Sequence, residues 1–266
     1  MITAPNGEQI AVVVPWHNEQ QIAKFLSQWN ESDKEQSDYL ILQHDEHKEG
    51  CAKTKNKGIS RALALGADIV VVLDDDCFPY VSPNATLPGL ATHHFNALQP
   101  QDVMMFHPIS DPITRGTPFQ QQSCNIKFPV AASIGFAFGN PDLSAVAELS
   151  ALKGFKTYNV AAFGRYFAMS GMNIAFRPKE WLPWCQFIDV PRYDDIWMGL
   201  LWEKEAYRRG FCFNLNGPKI SHVRQSNVFS NLRQEAMFAE ENETLWQKIH
   251  ASPETSYEEL RKLLPC

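Results

Sequence analysis

The sequence predicts an α/β fold in which a mixed, mostly parallel sheet is flanked by helices and followed by a helical C-terminal tail. Three apolar runs, at 10–14, 39–43 and 68–73, predict strands, and two helix-like patterns separate them. This alternation is typical of parallel strands joined by right-handed crossovers. The chain has 266 residues, 44% hydrophobic and 20% charged, so it can bury a substantial core and is not disordered.

The first half of the chain carries the clearest local signals. The run at 10–14 is continuously apolar, which suits a strand covered on both faces, and Pro15 ends it. Asn18 predicts a helix N-cap, with Gln21 as its reciprocal partner. The helix that follows has one apolar stripe, which consists of Ile22, Phe25, Leu26 and Trp29. A second helix is predicted over 53–65, with Gly66 as its end.

Strand signals in the second half are shorter. Strands are expected at 103–107, 211–215 and 219–223 because these segments are apolar and are bounded by polar residues, Gly or Pro. Between the first two, Asp142 is expected to cap a short helix. The middle of the chain is rich in Pro and Gly, which makes its elements harder to place.

The last third predicts helices. A strong helix begins at Asp194, and Gly210 follows its apolar stripe. Ser256 predicts the capping box of the last helix. We therefore expect a catalytic domain over 1–226 and a helical extension over 227–266 that packs on it.

Charge and cysteine usage exclude several classes of protein. The chain has 24 Lys and Arg against 30 Asp and Glu, a net charge of −6, so we expect no nucleic-acid partner. No apolar run is long enough for a signal peptide or a transmembrane segment, which predicts a soluble, cytoplasmic protein. The six cysteines form no Cys-x-x-Cys pair, so we expect free thiols rather than a zinc site.

An acidic triplet follows the third predicted strand directly. Asp74 and Asp76 point the same way in extended chain, about 6.6 Å apart at Cα. Ligands of parallel sheets bind at the carboxyl ends of the strands, where these carboxylates lie together with Asp75. Oxygen ligands favour Mg²⁺ or Mn²⁺, and such ions bridge to substrate phosphates. The alternative is a solvated acidic turn or a helix cap.

Basic side chains are concentrated shortly before the triplet. Lys53 and Lys57 lie on one helical face and are candidates to neutralise a diphosphate, the alternative being an ordinary solvated face. The ends of the first two strands, at Pro15 and at Asp45, are further candidates for substrate contacts.

Two later features also suit a catalytic site. Asp194 and Asp195 begin a helix, where they are either a pair of catalytic carboxylates or a cap that the helix N-terminus stabilises. His222 follows a short strand and is either a metal ligand or a surface histidine.

With these residues in place, the chain resembles the reversibly glycosylated polypeptides, the UDP-arabinopyranose mutase family, which have the GT-A fold of glycosyltransferases. The matching motifs include an Asp-Asp-Asp after a strand, Arg-Gly-Thr-Pro-Phe and Arg-Tyr-Asp-Asp. They fall in the family's order in six segments, at 70–78, 115–119, 133–142, 170–176, 192–197 and 222–232. The resemblance implies a GT-A-like, Rossmann-like sheet with a DXD motif, covering roughly residues 10–235.

The resemblance also implies roles for individual residues. Asp74, Asp75 and Asp76 match the motif for the metal and the sugar nucleotide, and Arg115 matches the arginine that becomes glycosylated. Asp194 and Asp195 match the carboxylates near the reacting sugar. His222 falls where GT-A enzymes often place a late metal ligand. The residues expected to bind substrate are Pro15, Asp45, Lys53, Asp74, Asp75, Asn173 and Arg192.

These observations indicate a manganese- or magnesium-dependent enzyme that acts on a UDP-sugar, similar to a UDP-arabinopyranose mutase. One alternative is a glycosyltransferase that moves the sugar to a separate glycan, lipid or protein acceptor. The others are a nucleotidyltransferase and a non-catalytic sugar-nucleotide-binding subunit. We expect a cytoplasmic protein of carbohydrate metabolism, free or peripheral to a membrane-bound glycan assembly system, with homo- or hetero-oligomers among its states.

Overall fold

The computed structural model describes residues 1–30, 39–80, 85–103, 126–139, 145, 167–223 and 227–265. The strands in these parts are β1 (Ile2–Thr3), β2 (Gln9–Trp16), β3 (Leu40–His44), β4 (Ile69–Leu73), β5 (Cys77–Pro79), β6 (Gln101–Val103), β7 (Ile126–Phe128), β8 (Val130–Gly139), β9 (Asn173–Phe176) and β10 (Cys212–His222). The helices are α1 (Glu19–Gln28), α2 (Cys51–Ala64), α3 (Leu87–Ala97), α4 (Pro178–Trp181), α5 (Asp194–Arg208), α6 (Val228–Ala236), α7 (Ala239–Ala251) and α8 (Tyr257–Arg261).

The main sheet runs in the order β1-β2-β4-β9-β8-β10-β5, and β3 pairs with the later part of β2. Strand β2 is parallel to β3 and β4, and β8 is parallel to β10. The pairings of β1, β5 and β9 with their neighbours are antiparallel. The predicted mixed α/β architecture is confirmed, with a smaller parallel share among the described strands than predicted. Strand β9 causes the difference because it enters the sheet centre in the opposite direction.

Both faces of the sheet are covered, as the continuous apolar runs predicted. On β2, Ala11 and Val13 face one core cluster, while Ile10, Val12 and Val14 face the other. The side chains of β4 divide between the two clusters in the same alternating way. A strand that is buried on both faces needs apolar residues at every position, which explains these runs.

The first helix is capped largely as predicted. The Asn18 side chain accepts hydrogen bonds from the backbone N–H groups of Gln20 and Gln21. The predicted stripe of Ile22, Phe25, Leu26 and Trp29 is buried. The reciprocal half of the capping box is wrong, because the Gln21 amide instead donates to the carbonyl of Asp75 at 2.8 Å. This bond ties the start of α1 to the acidic triplet.

Two strand predictions change with the structure. The segments at 211–215 and 219–223 are parts of one strand, β10, whose register against β8 shifts near Asn214 and Gly217. These irregularities interrupt the alternation of side chains along the strand, so the sequence pattern predicted two strands instead of one. In the strand expected at 103–107, only Val103 is described, at the end of β6, and the helix expected from Asp142 lies almost wholly outside the described residues.

The tail packs on α5 through α7 and α8. Leu245, Ile249, Leu260 and Leu264 belong to the same core cluster as Trp197 and Leu201 of α5. Lys204 of α5 donates from Nζ to the carbonyls of Ile249 and Ser252, at 2.8 and 2.6 Å, at the end of α7. A cation at a helix C-terminus is favourable because the last carbonyls lack partners within the helix. Within the described residues, no helix is both long and apolar enough to cross a lipid bilayer.

The described cysteines are free thiols, as predicted. Cys77, Cys185 and Cys212 are buried, whereas Cys51 at the start of α2 is exposed. Burial raises the pKa of the Cys185 thiol to about 12, so this group behaves as an apolar side chain.

A buried polar network crosses the sheet centre. The His94 ring on α3 lies 2.9 Å from Ser133 Oγ on β8 through Nδ1, and 2.9 Å from Asn173 Oδ1 on β9 through Nε2. The Asn173 amide in turn donates to the carbonyl of Pro218 at 2.8 Å. Burial lowers the pKa of His94 to about 3, so the ring is neutral at physiological pH.

The buried His94 is expected to make the protein acid-sensitive. The native ring resists protonation while the unfolded ring titrates near pH 6.5, so stability is full above pH 6.5 and falls as the pH drops towards 3. The loss between pH 8 and pH 5 should be about 2 kcal/mol. Urea unfolding of the wild type and of His94→Gln at both pH values measures it, because the variant removes this part of the pH dependence.

The neighbouring His93 is exposed on the same helix and provides the control. His93→Gln should show the wild-type loss of stability at pH 5. If His94→Gln retains the same loss, the neutral buried ring is not its source.

Candidate functional site

A cleft of ≈ 230 Å³ opens at the carboxyl ends of β2, β3 and β4. This is the edge at which open α/β sheets bind ligands. Its lining residues come from the ends of these strands and from the start of α2: Pro15, Trp16, His17, Asp45, Cys51, Thr54, Asp74, Asp75 and Asp76. The structure therefore brings together the acidic triplet and the ends of the first two predicted strands.

Asp74 is fixed at the base of the cleft. Its backbone N–H donates to the carbonyl of Met172 at 3.0 Å, next to β9. Its carboxylate faces the Lys55 ammonium, with Nζ 2.8 Å from Oδ1 and 3.2 Å from Oδ2. Burial raises the pKa of Asp74 to about 6, despite the opposing effect of Lys55. For Lys55, burial favours loss of the proton, but the charge of Asp74 and its neighbours keeps the pKa well above 10.5.

The environment of Asp75 disfavours the ionised form of its carboxyl group. Burial, together with the charges of Asp76 and Asp74, raises its pKa to about 7. Its Oδ2 atom is buried and accepts no hydrogen bond from the described residues. A buried carboxylate oxygen without a donor is costly, so this atom suits a cation or a donor group that arrives with a ligand.

Asp76 and His222 meet through the pairing of β5 with β10. This pairing places His222 opposite Cys77, the residue that follows Asp76. The Val223 N–H also donates to the carbonyl of Asp76 at 3.0 Å. As a result, Nε2 of His222 lies 3.1 Å from Oδ2 of Asp76, with the His222 side chain only 4% exposed.

These side chains fit a hard divalent cation. Asp76 Oδ2 and His222 Nε2 lie within hydrogen-bond distance of each other, and a carboxylate oxygen and a neutral imidazole nitrogen are both metal ligands. No group of three His, Cys, Asp or Glu side chains is arranged for a metal ion among the described residues. Mg²⁺ does not need such a cage, because it is usually held by one or two carboxylates together with waters and substrate phosphates. The fit therefore rests on Asp76, His222 and the unsatisfied oxygen of Asp75.

Asp195 is held by backbone groups near this cleft. Its Oδ2 accepts from the N–H of Gly171 at 2.7 Å, and its Oδ1 accepts from the N–H of Ile196 at 2.8 Å. The neighbouring Asp194 begins α5, and its carbonyl accepts from the N–H of Ile188 at 3.1 Å. The N-cap of α5 is Tyr193, so neither carboxylate caps the helix, and Asp194 and Asp195 lie in its first turn. Gly171 links Asp195 to Lys55, because its carbonyl accepts from the Lys55 ammonium.

Several predicted substrate residues have structural partners. Lys53 forms an exposed ion pair with Asp189 at 2.8 Å, and Asp45 accepts from the N–H groups of Glu49 and Gly50. Asn173 is fully buried in the network of His94, away from the cleft lining.

Of the two predicted arginines, the structure describes Arg192, which lies outside the cleft lining. The Arg192 guanidinium donates to Glu235 Oε1 on α6, at 3.1 Å through Nε and 2.9 Å through Nη2. Its backbone is left-handed, with φ of 69°. Arg115 lies outside the described residues.

Lys55 is the site residue that the sequence reasoning passed over in favour of its neighbours Lys53 and Lys57. The pattern of α2 contained the signal, since its buried face carries Ala52, Ile59 and Ala62 and Lys55 lies on that face. A lysine within an apolar helical stripe needs a buried anion, and the triplet supplies one. At the end of β2, the ring of Trp16 stacks on that of His44 with centroids 4.0 Å apart.

The protein has an open α/β sheet with an acidic cleft at the carboxyl ends of its strands. This places it in the class of open-sheet proteins that bind a ligand at that edge. The model of the family described as Reversibly glycosylated polypeptide matches residues 66–257, and the chain belongs to this family. It is 30% identical over 181 residues to the probable UDP-arabinopyranose mutase 1 of Pisum sativum, covering 62% of this chain and 50% of that protein. UDP-arabinopyranose mutase 1 of Arabidopsis thaliana is also 30% identical over 181 residues, covering 62% and 51%.

The chain thus spans about half the length of the curated relatives it matches. Among solved structures, a mannosyltransferase from Pyrobaculum calidifontis in complex with GDP-Man and Mn²⁺ superposes with a TM-score of 0.45 and 14% identity. The match covers 94% of this chain and 64% of that one. The predicted membership in the reversibly glycosylated polypeptide family is confirmed.

Proposed function

We propose that the protein is a metal-dependent enzyme that acts on a UDP-sugar, as the relatives named UDP-arabinopyranose mutase do on theirs. The observation that supports it most is the contact between Asp76 and His222, 3.1 Å apart beside two further carboxylates in a cleft. Family membership supports the sugar nucleotide as the ligand of that cleft.

In this proposal, Asp76 and His222 would hold Mn²⁺ or Mg²⁺. Asp75 would supply a further oxygen in place of the predicted ligand Asp74, whose carboxylate faces Lys55. The ion would neutralise the diphosphate and stabilise the negative charge that develops on it as the bond to the sugar breaks. Pro15, Trp16 and Asp45 line the cleft on the side of β2 and β3, where the nucleoside would lie.

The acidic start of α5 is proposed to face the reacting sugar. Asp195 accepts hydrogen bonds from two backbone N–H groups, so its carboxylate is oriented. An oriented carboxylate can stabilise positive charge at the anomeric carbon or accept a proton from a nucleophile. Asp194 is proposed to assist it, and Arg115 is proposed as the sugar acceptor or a clamp on the diphosphate.

The remaining predicted contacts stay proposals. Lys53 and Arg192 would have to leave Asp189 and Glu235 to reach a substrate, and Asn173 would act only from within the sheet. A cytoplasmic setting, free or peripheral to a membrane-bound glycan assembly system, and assembly into oligomers are proposed on the resemblance alone.

Incubation with UDP-arabinopyranose and Mn²⁺, followed by chromatography of the sugar nucleotides, tests the proposal. We expect the furanose form to appear and to disappear when EDTA is added. Transfer to an added glycan without furanose would instead identify a glycosyltransferase. Intact-mass measurement of the wild type and Arg115→Ala decides whether a sugar adduct depends on that arginine.

Binding gives a second readout that does not need the right sugar. Saturating UDP with Mn²⁺ should raise the midpoint of thermal unfolding by about 5 °C, since a ligand at 100 times its Kd adds about 2.7 kcal/mol. Absence of both stabilisation and turnover would contradict the proposed function.

A further inference from the structure

Lys55 is a buried cation that contacts Asp74, one of the residues lining the cleft. Its side chain is 3% exposed, and its Nζ lies 2.8 Å from Asp74 Oδ1. The ammonium also donates to the carbonyl of Gly171 at 3.1 Å and lies 4.9 Å from the centre of the Phe187 ring. Because a lysine is almost never this buried without partners, these contacts account for its position.

The other basic side chains of the first two turns of α2 point away from the cleft. Lys53 pairs with Asp189 and Lys57 with Glu49, and both lysines are half exposed. Among the described lysines of this helix, Lys55 alone contacts the acidic triplet. The positive charge of Lys55 is therefore buried against the triplet, whereas the charges of Lys53 and Lys57 are exposed to solvent.

Gly171 extends this contact to a second carboxylate. Its carbonyl accepts from Lys55, and its N–H donates to Asp195 Oδ2 at 2.7 Å. A Cβ at this position would lie 2.3 Å from the Phe187 ring and 2.9 Å from the Cβ of Asp195, so no side chain fits. Asp74 and Asp195 are thus joined through one ammonium and one peptide group.

We propose that Lys55 is a positioning residue whose ammonium, paired with Asp74 and bound to the Gly171 carbonyl, fixes the charge balance of the acidic triplet beside Asp195. The proposal rests on the proposed function, since it assigns a role within that site. Its buried ammonium does not reach the substrate, and it acts through Asp74 and Gly171.

The position of this charge predicts opposite effects on two ligands. A unit positive charge beside Asp74 repels a divalent cation and attracts a diphosphate. Removal of the charge should therefore strengthen the binding of Mn²⁺ alone and weaken the binding of UDP in the presence of Mn²⁺. General damage to the site would weaken both.

Lys55→Met tests this because methionine keeps an unbranched side chain of similar length on the apolar stripe. We expect the Kd for Mn²⁺, measured by electron paramagnetic resonance without nucleotide, to fall by about tenfold. The Kd for UDP with saturating Mn²⁺, measured by calorimetry, should rise by about tenfold.

Lys179→Met is the matched control. Lys179 forms an exposed ion pair with Asp68 at 2.8 Å, at the opposite end of β4 from Asp74, so the variant loses a lysine–aspartate pair outside the cleft. Both Kd values should stay within about twofold of the wild type. If Lys55→Met does not fold, the double variant Lys55→Met/Asp74→Asn removes both charges, and its Kd for Mn²⁺ should then be about that of the wild type.

The outcomes separate the two proposals. Opposite shifts in Lys55→Met support the positioning role, as does a double variant that binds Mn²⁺ like the wild type while Asp74→Asn alone binds it more weakly. Unchanged Kd values, or a parallel loss of both ligands, overturn it, as does a double variant with altered Mn²⁺ affinity. If the wild type binds neither Mn²⁺ nor UDP, that result contradicts the proposed function itself, and the role of Lys55 falls with it.

Discussion

Asp76→Asn is expected to raise the Kd for Mn²⁺ by about 100-fold and to abolish Mn²⁺-dependent binding of UDP. The substitution keeps the shape of the side chain but removes the charge that lies 3.1 Å from His222. The thermal unfolding midpoint without metal should change by no more than about 2 °C, because Asp76 is partly exposed and an amide can still bond to His222. Calorimetry with Mn²⁺, then with UDP and Mn²⁺, measures both effects.

Asp68→Asn is the control for this prediction. Asp68 precedes β4 at the end opposite the triplet and bonds to Lys179 and to the N–H of Gln9. Its loss should leave the affinity for Mn²⁺ unchanged. Equal affinities of Asp76→Asn and the wild type would show that the ion, if bound, lies elsewhere.

Gly135→Ala should cost about 4 kcal/mol or more of unfolding free energy. A Cβ at this position would lie 2.1 Å from Nδ2 of Asn173 and 2.2 Å from the carbonyl oxygen of Pro218. Both atoms belong to the buried network, and a backbone oxygen cannot move as a flexible side chain can. The extra methyl group must therefore separate β8 from β10 or break the bond between Asn173 and Pro218. Urea unfolding at pH 8 measures the loss.

Ser133→Ala provides the comparison on the same strand. It removes one hydrogen bond to His94 without adding volume, so it should cost about 1 kcal/mol. A loss in Gly135→Ala no greater than in Ser133→Ala would mean that the close approach of these strands is not essential.

Strands and helix starts that depend on short stretches of sequence could be predicted. The strands β2, β3 and β4 follow from apolar runs, because a strand buried on both faces leaves no choice of residue type. The cap at Asn18 and the helix from Asp194 follow from chemistry that acts within one turn. Irregular β10 was divided wrongly because its register shifts leave no local periodic signal.

The candidate site was only partly accessible from the sequence. The triplet could be recognised because it follows a strand directly, at the edge where ligands bind. Its partners could not be assigned by position, since Lys55 and His222 reach it only through the packing of α2 and the pairing of β5 with β10. The choice between Lys53 and Lys55 depends on the rotation of one helix, which distant contacts determine.

The contact between Arg192 and Glu235 bears on how the C-terminal tail should be treated in practice. Glu235 receives the guanidinium through one oxygen and the backbone N–H of Ala145 through the other, at 2.8 Å. A shortened protein that ends before α6 would lack Glu235. Arg192, two residues before Asp194, would thus lose its carboxylate partner. Trimming those last helices to ease crystallisation would alter the start of α5, and binding measurements on such fragments would describe a different site.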